Sequence, residues 1–403
     1  MTTWSVVKDD TREKRWQDHF PRSLPRYVLM ACLALVVVSL GVVLTPARPP
    51  EPAEPPFSEQ ARAAALAETR QLLDAGSQLD AAARDGSKDS SAESADDRSA
   101  AAGNPAVERT VTLLTLQAQA LLAPGESPAD AASAASASGG ATSPAASPAT
   151  SSAEPRPATA AGLVLALADS GRQRLADAAK ADGGMARLLA AVGTAQLLQA
   201  SDLAAGTGTA APSADLAAPQ LSGACPSAPA ESGADAAGTA SGAAPDSHET
   251  PGATSSAASN ATVGAALAAV VRTEAQTFYG YQVALPRLAG DAAKSAAEQL
   301  AHHDALLSDA ESLIRQRCSA VPPREAGYTL GRSFLASPAA GLGSLEASAL
   351  PVYGDLVALS DGGTRQWAIA ALLASGKRAV LWGTDPGALP GLDRASLPSL
   401  PAN

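Results

Sequence analysis

Between Phe57 and Phe278 the chain has no aromatic residue. Aromatic side chains bury the most area per residue, so this half cannot build a dense core around large groups. What remains open to it is Ala-rich helix, loosely packed, interrupted by segments too polar and too small-sided to fold. The aromatics that remain sit in the N-terminal region and between Phe278 and Trp382. The net charge of -11 excludes nucleic acid as a partner, which would need a basic face. The sequence holds no Gly-rich phosphate loop, no Ser/His/Asp set and no CxxC pair.

Residues 1–26 are short and mixed in charge, with Lys8, Arg12, Lys14, Arg15, Arg22 and Arg26. The run from Tyr27 to Leu44 carries no charge and is eighteen residues long, near the lower limit for a spanning helix. Its basic flank lies on the N-terminal side, so the positive-inside rule predicts a cytoplasmic tail over 1–26 and a transmembrane helix over 27–45. Everything after Thr45 is then extracytoplasmic. A cleaved signal peptide is the competing reading, but Thr45-Pro46-Ala47 is a poor small-x-small site with proline inside it.

A Pro/Glu spacer leads into an Ala-rich helical region over 57–205. Asn104 followed by Pro105 is the signature of a helix start. Two Ala/Ser/Gly/Thr/Pro tracts, 124–157 and 206–261, lack periodicity and are expected to be disordered.

Residues 262–383 predict an all-α four-helix bundle, followed by a Pro-rich tail over 384–403. Thr262 is the expected cap of its first helix. Gly290-Asp291, Ser337-Pro338 and Gly362-Gly363-Thr364 punctuate the rest. Leu267, Val271, Phe278, Tyr281 and Leu285 line one face of the first helix, and Glu274 fills the gap in that stripe. His303 shares the face of Leu300, Leu307 and Ile314. Glu346 shares the face of Leu342, Ala349, Tyr353 and Leu356. The fourth helix, with Ile369, Leu373, Gly376 and Val380 facing inward, offers no carboxylate or imidazole.

Two carboxylates and a histidine aimed into a bundle match part of the ferritin-like di-metal pattern, which needs a Glu from each of two helices and E-x-x-H from each of the other two. Leu300 stands three residues before His303, so the E-x-x-H is absent. The residues alone leave two readings. Glu274, His303 and Glu346 form a metal site for iron, manganese or zinc, or they form a cofactor-free polar cluster with Glu274 paired to His303 or to an arginine. In the second case Glu274→Gln should cost little stability, since it removes a buried charge.

The same segment, over 263–383, resembles an uncharacterised actinobacterial ferritin-like domain family of unknown function. The resemblance rests on Glu274 with Tyr279 and Tyr281, then Asp304-Ala305-Leu306, Pro322-Pro323 with Tyr328, Ser337-Pro338-Ala339-Ala340, Glu346, Arg365 and Trp382. It departs at Ala275, where the family has histidine, and at His302-His303, where the family has a basic run. The resemblance implies a ferritin-like bundle in an exported protein, and it implies no activity.

Cys225 and Cys318 are the cysteines placed outside the membrane, where disulfides persist, and a bridge between them is expected in preference to two free thiols. The expected function is a non-enzymatic, membrane-anchored, extracytoplasmic ferritin-like protein with a binding or structural role and an envelope protein as its partner class. The alternative is a metal-binding carboxylate bundle using Glu274, His303 and Glu346. A surface small-molecule sensor is a third option.

Overall fold

A computed structural model of the chain describes residues 24–44, 54–90, 104–122, 159–213 and 251–392, with the single positions 125, 157, 215, 216, 219, 221 and 225. The tail expected over 1–26 lies outside the described residues except for 24–26. So does the tract 124–157 except for 125 and 157, as do residues 226–250 and 393–403. Among the described residues all regular structure is helical.

The chain forms two compact units, Met1–Glu54 and Pro55–Asn403. The first contains α1 (Leu24–Leu44), with Pro25 in its first turn, where a missing N–H costs nothing. The described side chains of α1, residues 26–37, are all exposed.

The second unit contains α2 (Phe57–Ser90), α3 (Pro105–Ala120), α4 (Ala160–Ala178), α5 (Gly183–Thr207), α6 (Pro251–Ala284), α7 (Gly290–Gln316), the short α8 (Arg332–Ala336), α9 (Pro338–Leu359) and α10 (Gly362–Leu381). Local chemistry sets most of these ends. The Asn104 side chain accepts from the Ala106 amide at 2.9 Å with Pro105 at the first helical position. Thr159 does the same for Gly162 at 3.1 Å. After α10 the chain turns through Gly383 at φ +79°, and the amides of Gly383 and Thr384 close back onto Val380 and Ala379. Pro286 falls in a 3-10 turn, Leu285–Arg287, that ends α6, whereas Pro351 is carried inside α9. The helix expected to start at Thr262 starts at Pro251 instead, with proline again at its first position.

The Ala-rich half is packed closely rather than loosely. α4 and α5 meet at Gly171 and Gly193. A Cβ on Gly193 would lie 2.7 Å from the Gly171 carbonyl oxygen and 2.9 Å from Leu175. Small residues replace bulk with proximity, which is how a stretch without aromatics makes a core. α5 is long and apolar enough to cross a membrane, yet 67% of its apolar window is buried, and it serves as the central helix of this unit.

One hydrophobic core joins the two halves, with Leu189 and Leu197 of α5 in the same cluster as Val271, Leu307, Leu356 and Leu373. Arg187 of α5 donates from Nε (2.9 Å) and Nη2 (2.7 Å) to the Gly391 carbonyl, Gln117 of α3 donates to the Ala388 carbonyl at 3.1 Å, and Leu389 is buried. The chain therefore remains packed through Leu392, beyond Gly383. A second, smaller cluster of Tyr281, Ala284, Ala296, Phe334, Leu342 and Trp382 lies at the other end of the bundle.

Candidate functional site

α6, α7, α9 and α10 build their inner faces at spacings of four and three, and each places one charged group on that face. α6 carries Val270, Glu274, Thr277 and Tyr281. α7 carries Ala296, His303, Leu307 and Ala310. α9 carries Leu342, Glu346, Ala349 and Tyr353, and α10 carries Ala371, Ser375, Arg378 and Trp382. The charged groups meet between the two hydrophobic clusters. Glu274, His303 and Glu346 are each fully buried, and Arg378 is 6% exposed.

His303 bridges the two carboxylates. Its Nδ1 lies 2.7 Å from Oε2 of Glu274 and its Nε2 lies 2.7 Å from Oε1 of Glu346. Ionised carboxylates only accept, so both ring nitrogens donate and the ring is an imidazolium. Tyr353 donates to Oε1 of Glu274 at 2.6 Å. Oε1 of Glu346 also accepts from Tyr281 at 2.8 Å and from Nε of Arg378 at 2.9 Å, while its Oε2 accepts from Ser375 at 3.0 Å. Trp382 Nε1 donates to the Tyr281 hydroxyl at 2.7 Å, and the Tyr281 ring lies 4.8 Å from the His303 ring. Two anions and two cations thus sum to zero charge, and every carboxylate oxygen and imidazole nitrogen has a partner. Nη2 of Arg378 and Oγ1 of Thr277 are buried without one.

The electrostatics follow from this arrangement. Burial alone would push the His303 imidazole down, but the hydrogen bonds and charges of Glu274 and Glu346 hold it above its ordinary value. Burial would raise Glu346, but His303 and Arg378 together hold it below the usual carboxylate range. Burial, reinforced by the adjacent carboxylate, pushes both Tyr281 and Tyr353 well up, so both stay neutral donors. Arg378 is raised despite burial, through Glu346 and Glu274.

The three residues singled out by sequence, Glu274, His303 and Glu346, come together, and His302 stays outside, exposed. The partner of Glu274 is His303 and not an arginine; the arginine goes to Glu346. Arg378 and Ser375 escaped the sequence reading, which put Val380 on the inner face, and Val380 is 51% exposed. The usable signal was the stripe Ala371, Ser375, Arg378, Trp382, which ends on a tryptophan and outranks the stripe through Gly376. Other residues carrying the resemblance also have structural partners. The rings of Tyr279 and Tyr328 lie 5.7 Å apart, and Arg365 donates to the carbonyls of Ser360 and Ala181, tying α10 to the α4–α5 turn.

The donor set does not fit a metal as arranged. Both His303 nitrogens and all four carboxylate oxygens are engaged, Oε1 of Glu346 three times over. A dication would be a third positive group beside two carboxylates already neutralised. Among the described residues no group of three or more His, Cys, Asp or Glu side chains is placed to hold a metal ion.

Cys225 and Cys318 are joined by a disulfide with their Cα atoms 5.2 Å apart, which fastens the segment after α5 to the end of α7. Lys377 binds Asp215 of that segment at 2.6 Å, and Arg172 donates to the Ser213 carbonyl at 2.8 Å.

Residues 266–394 match the model of an uncharacterised domain family, described as Domain of unknown function (DUF4439). The match contains all four charged residues of the bundle centre. No curated protein and no solved structure matches the chain.

Proposed function

We propose that the chain is a non-enzymatic, single-pass membrane protein that presents a ferritin-like helical domain outside the cytoplasmic membrane, as a binding or structural component of the cell envelope. The observation that carries this reading is the closure of the bundle centre. Its acid, base and cations are spent on one another in a fully buried, charge-neutral set. A general acid or base must reach the proton that it moves, and a binding site must leave a polar group for its ligand. The centre therefore holds the bundle together, and the work of the protein falls to its outer surface.

The ferritin-like part of the proposal rests on a Glu, a His and a Glu contributed by three helices of the bundle. The saturation of their hydrogen bonds weighs against the metal-binding alternative. The membrane part rests on the continuous helix Leu24–Leu44, whose described apolar side chains between Tyr27 and Val37 are exposed and suit lipid better than water, and on the basic residues ahead of it. A reporter active only outside the cytoplasm, fused after Asn403, tests the placement. It should be active, with a cytoplasm-only reporter silent at the same site. The opposite pattern would overturn the proposal.

A further inference from the structure

The second unit carries an open groove of about 750 Å³ away from the bundle centre. Two helices wall it. α3 lines it from Pro105 to Leu116 at helical spacing, and α5 lines it from Ala195 to Asp202. The two run antiparallel, joined at one end by Asn104 to the Gly206 carbonyl (3.3 Å) and at the other by Gln196 to Gln117 (3.0 Å). At a rise of about 1.5 Å per residue the α3 wall is about 16 Å long, which is three turns. Val380 and the segment after α10 close the third side.

The lining has two characters. Leu113, Leu116, Ala195 and Leu198 make it apolar toward the Leu116 end of α3, and Leu116 at 42% and Val380 at 51% exposure are large side chains with no core to enter. Its charges are three acids against one base. Arg109 is taken by Asp202 at 2.8 Å, and Glu108 and Asp385 form no ion pair among the described residues. A slot about three turns long between two antiparallel helices, apolar toward one end and lined by two acids that form no ion pair among the described residues, has the form of a helix-in-groove site.

We propose that this groove docks an amphipathic helix of a separate partner protein, one that carries an apolar stripe flanked by lysine or arginine. The chain's own net charge of -11 makes a second copy a poor occupant. Leu116 and Val380 take the apolar stripe, and Glu108 and Asp385 select the basic flanks. The inference rests on the binding-component reading and names its surface and partner chemistry.

The test uses the full-length chain in nanodiscs of zwitterionic lipid, with binding to empty nanodiscs subtracted. The probes are two fluorescent helical peptides of about fourteen residues. They share one leucine stripe and carry either lysine or glutamate on its flanks. The lysine peptide should bind more tightly by about threefold to tenfold, from two edge ion pairs, and the preference should shrink as salt rises. Glu108→Lys with Asp385→Lys should reverse the preference, and Leu116→Ser with Val380→Ser should weaken both peptides. All four positions are exposed at the groove, and circular dichroism checks that each variant folds, Asp385 above all because it accepts from the Gly387 amide at 2.8 Å. Equal binding of the two peptides, no binding, or a preference unmoved by charge reversal would each overturn the groove. If the reporter at Asn403 still places the domain outside, the groove alone has failed and the placement stands.

Discussion

Nε of Arg378 lies 2.9 Å from Oε1 of Glu346, between two helices and almost out of reach of solvent. That oxygen already accepts from His303 and Tyr281, so the guanidinium completes the coordination of the anion with protein donors alone. Burying four charges is expensive, several kcal/mol per ion, and the set survives only because each charge faces an opposite one. The centre should therefore behave as one unit when any member is removed.

Arg378→Met keeps most of the length of the side chain and removes its charge. Glu346 then keeps His303 as its sole cationic partner, and the net charge of the buried set becomes negative. The loss should be about 3 to 5 kcal/mol in chemical denaturation, the range for breaking a buried ion pair from one side. Arg378→Lys should lose less, because it restores the charge without the planar donors. A Met variant that unfolds at the wild-type denaturant concentration would show that the pair is dispensable.

Stability should also depend on pH from both sides. His303 is raised above its ordinary 6.5, so its contribution is fully present below that value and is lost as pH rises through the folded value. Glu346 is lowered from 4.5, so its contribution is present above that value and is lost as pH falls through the folded value. The two windows overlap between these ordinary values, and the maximum should lie in mildly acidic solution. Arg378 and the two tyrosines keep one protonation state throughout. Denaturation midpoints across pH, compared with those of His303→Gln, read this directly. A wild-type alkaline limb that matches the variant's would remove His303 from the account.

Close approach of α4 and α5 makes a separate prediction about the Ala-rich half. A side chain on Gly193 would meet both the Gly171 carbonyl and the Leu175 side chain, and the carbonyl cannot move without shifting a helix. Gly193→Val should destabilise by about 2 to 4 kcal/mol, beyond the usual 1 to 3 for overpacking because backbone is involved. Gly184, in the first turn of the same helix, has nothing within 4 Å, and Gly184→Ala should be neutral or gain about 0.5 to 1 kcal/mol. Equal effects at the two positions would mean that the helices are not in contact at Gly193.

The disulfide can be read by mass. Cys225 and Cys318 are 93 residues apart, so their bridge stabilises by up to about 4 to 5 kcal/mol in the chain-entropy model. Alkylation of the native chain without reductant should mark Cys32 alone. Two further alkylated thiols would dispose of the bridge.

The inward faces of α6, α7 and α9 were legible because leucines and tyrosines at spacings of four and three bracket Glu274, His303 and Glu346. The face of α10 was not, because Ile369, Leu372, Leu373 and Trp367 are all buried on different sides of the helix. With polar residues such as Gln366, Lys377 and Arg378 also spread around it, Val380 looked as suitable for the interior as Arg378. The packing of the Ala-rich half was hidden for a different reason. Glycine at 171 and 193 says nothing of its neighbour until the two backbones are brought together.

Substitution of Glu274 separates an ionic centre from a metal site. From sequence alone, Glu274→Gln should cost little, because it keeps the shape of the side chain and removes a buried charge that needs compensation. The geometry argues for a larger cost, since each oxygen of that charge holds its own donor, His303 and Tyr353. An amide can accept from one of them, but its NH2 group then confronts the other donor, and the imidazolium loses half of its compensation. Glu274→Gln should therefore lose about 3 kcal/mol or more. Wild type and variant alike should carry no stoichiometric iron, manganese or zinc, because the ligand atoms are spent on internal hydrogen bonds. In a metal site the amide would be a poor ligand, and metal would fall together with stability in Glu274→Gln, His303→Ala and Glu346→Gln. Elemental analysis of the full-length chain decides between them. About one or two tightly held metals per chain, lost in all three variants, would replace the ionic centre with a metal centre.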